Sequence, residues 1–288
     1  MSDRTPKVGL SLMLSADFLR AAYPLFNAGA VEILEWSFDC GWPPTVMPKW
    51  ADDLVRSYSD ANNLLGHGVS YSPLSAGVDE HQQAWLQSLT QEISQRNYRH
   101  ISEHFGFSST RNFHQSAPLP VPLTDAYLQL GQERLRQLAE IAKVPIGLEN
   151  LAFAFGMRDV EAQGRFLDAL LTPVDGFLLL DLHNVYCQVI NFDVTFETLL
   201  GSYPLERVRE VHVAGGSWSE AAGDTIRRDT HDGPLPEALF TWLPMVLEQC
   251  PRVESVIMER MEGTLTEADD EPFRRDFRRL QEVVHGVG

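Results

Sequence analysis

Side chains able to hold a cation or move a proton recur just after short apolar runs of this 288-residue sequence. They are His67, His104, Glu149, Asp181 with His183 and Asn184, His212, Asp229 with His231, and Glu259. The stretch from Pro145 to Tyr186 shows the pattern twice. Pro145-Ile146-Gly147-Leu148 runs into Glu149-Asn150, and Phe177-Leu178-Leu179-Leu180 runs into Asp181-Leu182-His183-Asn184. A short apolar run flanked by Pro or Gly reads as a buried strand. An ionisable group just past it stands where the strand leaves the sheet. Imidazole and carboxylate ligands without cysteine suit iron, manganese or zinc. There are too many of them for one ion, so two or three ions sharing a bridging carboxylate is the natural reading.

These residues need a scaffold that brings many strand ends to one place. Apolar runs over 8–14, 31–36, 64–70, 98–107, 144–149, 177–181, 208–215 and 255–258 predict eight strands. Helical spacing predicts helices over 16–27, 50–61, 79–96, 124–142, 159–171, 236–249 and 267–284. Strict alternation of strand and helix means a parallel sheet, and eight units predict closure into a (β/α)8 TIM barrel. The expected organisation is one domain over 1–288, with the metal site at the C-terminal rim. Five of the nine histidines fall on that rim.

Taken singly, each residue has a plainer reading. A lone His67 after an apolar run is usually a satisfied core histidine. Only one of Glu103 and His104 can face the barrel mouth. Glu149 and Glu259 could be interior charges paired with Arg158 or Arg260, and Asp181 could simply cap the next turn. Asp229-Thr230-His231 could be a solvated loop. The plain readings fail together, because one architecture places all of these residues at one end of one barrel. His81, His100, His114 and His285 have no such placement and read as surface or packing.

Composition narrows the partners. A net charge of −17 opposes a nucleic-acid surface, which needs a basic face, and favours a basic peptide. There is no apolar run long enough for a membrane span, and Met1-Ser2-Asp3-Arg4 lacks the apolar core of a signal peptide. Cys40, Cys187 and Cys250 are odd in number and widely spaced. That pattern suits reduced, packed thiols in a cytoplasm.

On these blocks the chain resembles the multinuclear non-heme iron-dependent oxidative enzymes, the MNIO family. The resemblance rests on Gly66-His67-Gly68-Val69-Ser70, Ile101-Ser102-Glu103-His104, Leu148-Glu149-Asn150 and Leu179-Leu180-Asp181-Leu182-His183-Asn184-Val185-Tyr186. It continues through Glu210-Val211-His212-Val213-Ala214-Gly215, Asp229-Thr230-His231-Asp232-Gly233-Pro234 and Met258-Glu259. It implies an O2-using oxidase that holds two or three irons as mixed Fe(II) and Fe(III). Such an enzyme modifies a peptide side chain, very often cysteine, in the biosynthesis of ribosomally made natural products. By the resemblance, His67, His104 and Glu149 hold one iron. Glu149 bridges to a second, held by Asp181, His212 and Glu259, so that Glu149, Asp181 and His212 form the catalytic centre. Asn184, Asp229 and His231 hold the third, with His183 as the substitute for the amide of Asn184. The implied partner is a precursor peptide, with room for a second protein that delivers it.

Long loops at 40–48, 108–122 and 215–228 would hold the peptide, with Trp42 and Trp218 as aromatic anchors. Glu35, which ends the second strand, is either a substrate contact or a support. The competing reading is a divalent-metal hydrolase or isomerase on a xylose-isomerase-like barrel, the endonuclease IV type included, which carries a similar ligand set. A third is a non-catalytic metal-binding partner in a maturation complex.

Overall fold

The computed structural model describes residues 5–76, 80–110, 113–221 and 223–286, apart from the side chains of 110, 114–116 and 221. Met1–Arg4, the expected helix start at Asp79, and Arg111, Asn112 and Ala222 within two of the long loops lie outside the described residues, as does the side chain of His114.

Eight parallel strands form a closed barrel: β1 (Lys7–Leu12), β2 (Ile33–Trp36), β3 (Leu64–Gly68), β4 (Ile101–His104), β5 (Ile146–Glu149), β6 (Phe177–Asp181), β7 (Val208–Val213) and β8 (Ser255–Met258). Each pairs with its neighbours in chain order. β8 closes on β1, with Val8 opposite Val256 and Leu10 opposite Met258. Helices lie between the strands, so both strand faces are covered, which is why the runs are almost continuously apolar.

Side chains two apart on a strand share a face, and that simple rule builds the site. Ile33, Leu65 and Ile257 point inward and form a small apolar plug, separate from the core outside the barrel. Two residues further along the same strands stand Glu35, His67 and Glu259. The same step takes Gly147 to Glu149, Leu179 to Asp181 and Glu210 to His212. Gly147 leaves room for the Phe177 ring, from which a Cβ there would lie 2.4 Å.

Three segments differ from expectation. The apolar stretch after β6 is a helix, Leu182–Phe192, followed by a short one, Phe196–Leu200. Asp181 is the N-cap, and its Oδ1 accepts the Asn184 N–H at 2.5 Å, which turns the chain from strand to helix at once. The loops at 108–122 and 215–228 each contain a hairpin. One pairs Phe107–Thr110 with Phe113–Leu119, the other Trp218–Ala221 with Asp224–Arg227. Strands this short and this polar carry no readable period. The three cysteines are free thiols; Cys187 and Cys250 are buried, while Cys40, expected to pack, is exposed. No helix among the described residues is long and apolar enough to cross a membrane.

Candidate metal centre

One side of the rim is built from β3, β4 and β5. His67 Nε2 lies 3.3 Å from His104 Nε2, and Glu149 Oε2 lies 3.5 Å from the first and 3.4 Å from the second. Ser102, beside His67 on β4, contacts its Nδ1 at 2.8 Å and thereby leaves Nε2 for the pocket. Glu149 Oε1 accepts from Asn184 Nδ2 at 3.0 Å. Glu103 points the other way. Its carboxylate accepts the N–H groups of Tyr71 and Ser72 and fastens the turn after β3. Burial pushes the His67 imidazole well below its ordinary pKa, aided by His104 and His212, and burial takes His104 down to about 4. Both rings are therefore neutral near pH 7, the form that binds a cation.

The other side comes from β6, β7, β8 and the loop after β7. His212 Nδ1 lies 3.2 Å from Glu259 Oε2, and His231 Nδ1 lies 3.5 Å from the same oxygen. His231 Nε2 lies 2.8 Å from Asp229 Oδ1. These approaches are close but off-axis. His212 Nδ1, His231 Nε2, Asp181 Oδ2 and Asn184 Oδ1 are all buried, yet none makes a hydrogen bond among the described residues. A buried polar atom without a partner is costly and rare, so several in one pocket point to a ligand for that pocket. Among the described residues, ligand atoms converge within 4.8 Å in four groups: His67/His104/Glu149, Glu149/Asp181/His212, Asp181/His231/Glu259 and Glu35/Glu210/His212. Glu149, Asp181 and His212 each belong to two groups, which is the geometry of shared ligands. His231 sits at φ 50°, a left-handed backbone that a side chain rarely adopts, and its carbonyl is held by the Met261 N–H at 2.8 Å.

Here the charges are balanced by protons. Burial alone would lower His212 and His231, but the Glu259, Glu35 and Asp229 carboxylates outweigh it and hold both imidazoles well above their usual value. Burial likewise opposes ionisation of Glu259 and Asp229, and the imidazoles overcome it, keeping both well below the carboxylate range. Asp181 is pushed up to about 7 by burial and by Asp229, and Glu149 well up by burial and by Asp181. A donor set of this kind releases protons when a cation enters.

Several of the expected residues have partners of their own in the structure. Glu35 is fully buried beneath His212 and accepts from its Nε2 at 2.9 Å, so it supports that ring rather than touching substrate. Trp42, half-buried, packs against Phe38 and Trp85 at 5.5 and 5.4 Å and donates its indole N–H to Glu92, which makes it part of the wall. Both nitrogens of His183 are engaged, Nδ1 with Asp229 and Nε2 with Arg227, so it does not stand in for Asn184. Trp218 remains half exposed on its hairpin beside the rim. Glu210 and His100 form a 2.7 Å pair deep in the barrel, and Asn150 clamps the Asp181 backbone through both its oxygen and its nitrogen. The alternation in Glu210-x-His212 and His100-x-Ser102-x-His104 was the available signal for the interior pair. His81 and His285 bond to Ser70 and Glu32 on exposed faces and belong to none of these ligand groups.

A closed parallel barrel thus carries, at the C-terminal rim, clusters of His, Asp and Glu that could hold a metal ion. The profile of the family described as "RiPP precursor modification enzyme MbnB/TglH/ChrH" matches residues 45–269, and the chain belongs to that family. It is thus an enzyme of precursor-peptide modification. Similar proteins include a UPF0276 protein of Rhizorhabdus wittichii, 26% identical over 87% of this chain and 85% of the relative. A UPF0276 protein of Acaryochloris marina is 30% identical over 66% of this chain and 67% of its own length. Among solved structures, a D-psicose 3-epimerase of Clostridium cellulolyticum H10 superposes with a TM-score of 0.62 at 14% identity, over 98% of this chain and 99% of that one. A xylose isomerase domain protein of Planctomyces limnophilus gives 0.60 at 15%, over 98% and 96%. At such identities the likeness is one of fold, the xylose-isomerase-like barrel.

Proposed function

We propose that the chain is a multinuclear iron oxidase that uses O2 to oxidise a side chain of a precursor peptide, with cysteine as the reacting residue. The observation that carries this reading is Glu149, which reaches the His67/His104 pair on one side and Asp181/His212 on the other. Two or three irons suit the donor set: imidazole and carboxylate oxygens, no thiolate from the protein, and shared carboxylates. His67, His104 and Glu149 would hold one, Glu149, Asp181, His212 and Glu259 a second, and Asn184, Asp229 and His231 a third. When bound, such irons supply redox chemistry with O2 as the oxidant.

The chain's own residues do the rest. Glu35 accepts the Nε2–H of His212 as a hydrogen bond and so leaves Nδ1 to face the pocket. His104, Asp229 and His231 are the most exposed members, at 19%, 20% and 16% of their side chains, and mark the side from which substrate arrives. The protein's lack of a thiolate ligand leaves room for one from the substrate.

Elemental analysis and Mössbauer spectroscopy of anaerobically purified protein should find two or three irons per chain. Aerobic incubation with a precursor peptide encoded nearby should change the mass of the Cys peptide and leave its Ser variant untouched. Stoichiometric zinc, with activity surviving the removal of iron, would replace the oxidase with the hydrolase or isomerase reading. Equal modification of the Cys and Ser peptides would remove cysteine from it.

A further inference from the structure

We infer that Arg227 and His183 are positioning residues that carry Asp229 to the His231 side of the centre, and that Trp218 makes the same guanidinium part of the mouth surface. Cation binding at Asp229 and contact at Trp218 are then linked through one side chain. The nature of the cation rests on the iron reading above; the positioning geometry does not.

The line begins at the buried imidazole of His183. Its Nε2 meets Arg227 Nη2 at 3.1 Å and Nε at 3.3 Å. A guanidinium can only donate, so Nε2 accepts and the ring hydrogen sits on Nδ1. That hydrogen is donated to Asp229 Oδ1 at 2.9 Å, the same oxygen that lies 2.8 Å from His231 Nε2. Asp229 belongs to an otherwise irregular loop, and this bond gives it a fixed direction.

Arg227 is itself tightly placed. Its backbone N–H donates to Asn191 Oδ1 at 2.8 Å, and its carbonyl accepts from Asn191 Nδ2 at 2.9 Å. The guanidinium lies between two rings, 5.4 Å from the centre of Tyr186 and 5.3 Å from that of Trp218. His183, Tyr186 and Asn191 all come from the helix Leu182–Phe192. Gly216 lets the chain entering the hairpin rest on the imidazole: a Cβ there would lie 2.6 Å from His183 Cε1. Among the described residues Arg227 forms no carboxylate ion pair, although it is only 6% exposed in a chain of net charge −17. A buried cation spent on an imidazole and two aromatic faces is expensive as mere packing.

Trp218 joins this line to the outside. It is 51% exposed while its ring lies over the guanidinium. Anything that packs on Trp218 changes the clasp on Arg227, and whatever favours the clasp favours the bound orientation of Asp229. Linkage requires the converse to hold equally.

The test is an anaerobic titration of the metal-free protein with iron(II) alone, read as equivalents bound and as the Mössbauer spectrum of the loaded protein. Asp229→Ala sets the reference by losing one equivalent. Arg227→Ala should weaken the same equivalent by about 10–100-fold and leave the rest in place. Arg227→Lys should recover only part of it, since an ammonium neither forks nor stacks. His183→Asn, whose amide nitrogen can replace Nδ1 as donor to Asp229, should retain what His183→Leu loses. Trp218→Ala should weaken the last equivalent by roughly two- to fivefold. Thermal melts distinguish lost positioning from lost folding, and His183→Asn against His183→Leu supplies the contrast if Arg227→Ala does not fold. If Arg227→Ala and His183→Leu bind iron as the wild type does while Asp229→Ala loses an equivalent, the inference is overturned. If the wild type takes up no iron, the iron reading falls instead, and the same comparison with manganese or zinc decides the positioning role.

Discussion

The two sides of the rim use the same residue types and reach opposite proton states. On the β3–β5 side, His67 is backed by the Ser102 hydroxyl and His104 has Glu103 no nearer than 3.9 Å behind it, so burial prevails and both rings stay neutral. On the β7–β8 side, Glu35 and Glu259 flank His212, and Asp229 and Glu259 flank His231, so both imidazoles are held toward the charged form. Both sides hold one deeply buried and one partly exposed imidazole; the partners differ. An imidazole in a barrel mouth is thus prepared as a ligand or as a cation by what stands behind it, and only the first is ready for metal without giving up a proton.

The strongest way to break this comparison is to remove what the two sides share. Glu149→Ala should lose both ions that its carboxylate reaches and abolish activity, while Glu149→Gln should keep one weakly. His81→Ala and His285→Ala should leave metal content unchanged. Metal analysis reads all four, and full loading of Glu149→Ala would show that the two sides are independent.

The support behind His212 comes next. Glu35→Ala should weaken the β7–β8 side by about 10–100-fold, and Glu35→Gln by less, with the His67/His104 equivalent unaffected. A uniform loss in both equivalents would mean that Glu35 serves the barrel rather than the ring.

Proton release sharpens the contrast further. Cations can enter the β7–β8 side only as His212, His231 and Asp181 give up protons, so capture there should strengthen as pH rises through about 7, where Asp181 ionises, and on above the ordinary imidazole range, where His212 and His231 do. His67 and His104 add nothing to that dependence, and the other side should respond only through Glu149. Calorimetry in buffers of different ionisation enthalpy counts the protons released per ion. Equal counts on the two sides would remove the distinction.

The smallest effects belong to the mouth. Trp218→Ala should raise KM for the peptide roughly tenfold with little change in melting temperature, whereas Trp42→Ala should lower the melting temperature and leave KM alone. Salt should weaken capture of a basic peptide a few-fold between low and physiological ionic strength, where the Debye length falls to about 8 Å. Interchanged behaviour of the two tryptophans would return Trp42 to the binding surface.

How much of this was legible in the sequence follows from the range of the interactions. Periodicity and strand-end position depend on residues a few places apart, so the eight strands, their parallel closure and the rim location of His67, His104, Glu149, Asp181, His212 and Glu259 could be read directly. The helix after β6 was missed because Leu182 to Phe192 is as apolar as a strand, and one side-chain cap at Asp181 decided between the two. The direction of each side chain was decided in three dimensions. Glu35 meets His212 across 177 positions of chain, and Arg227 meets His183 across 44. Such distances exist only once the barrel has closed. They separated the residues that face the pocket from those that hold the facing ones in place: Glu35 behind His212, His183 behind Asp229, Trp42 in the wall. The sequence by itself determined which side-chain types stand at the rim. The closed barrel decided which atom of each residue is turned toward it, because that depends on partners the chain order keeps far apart.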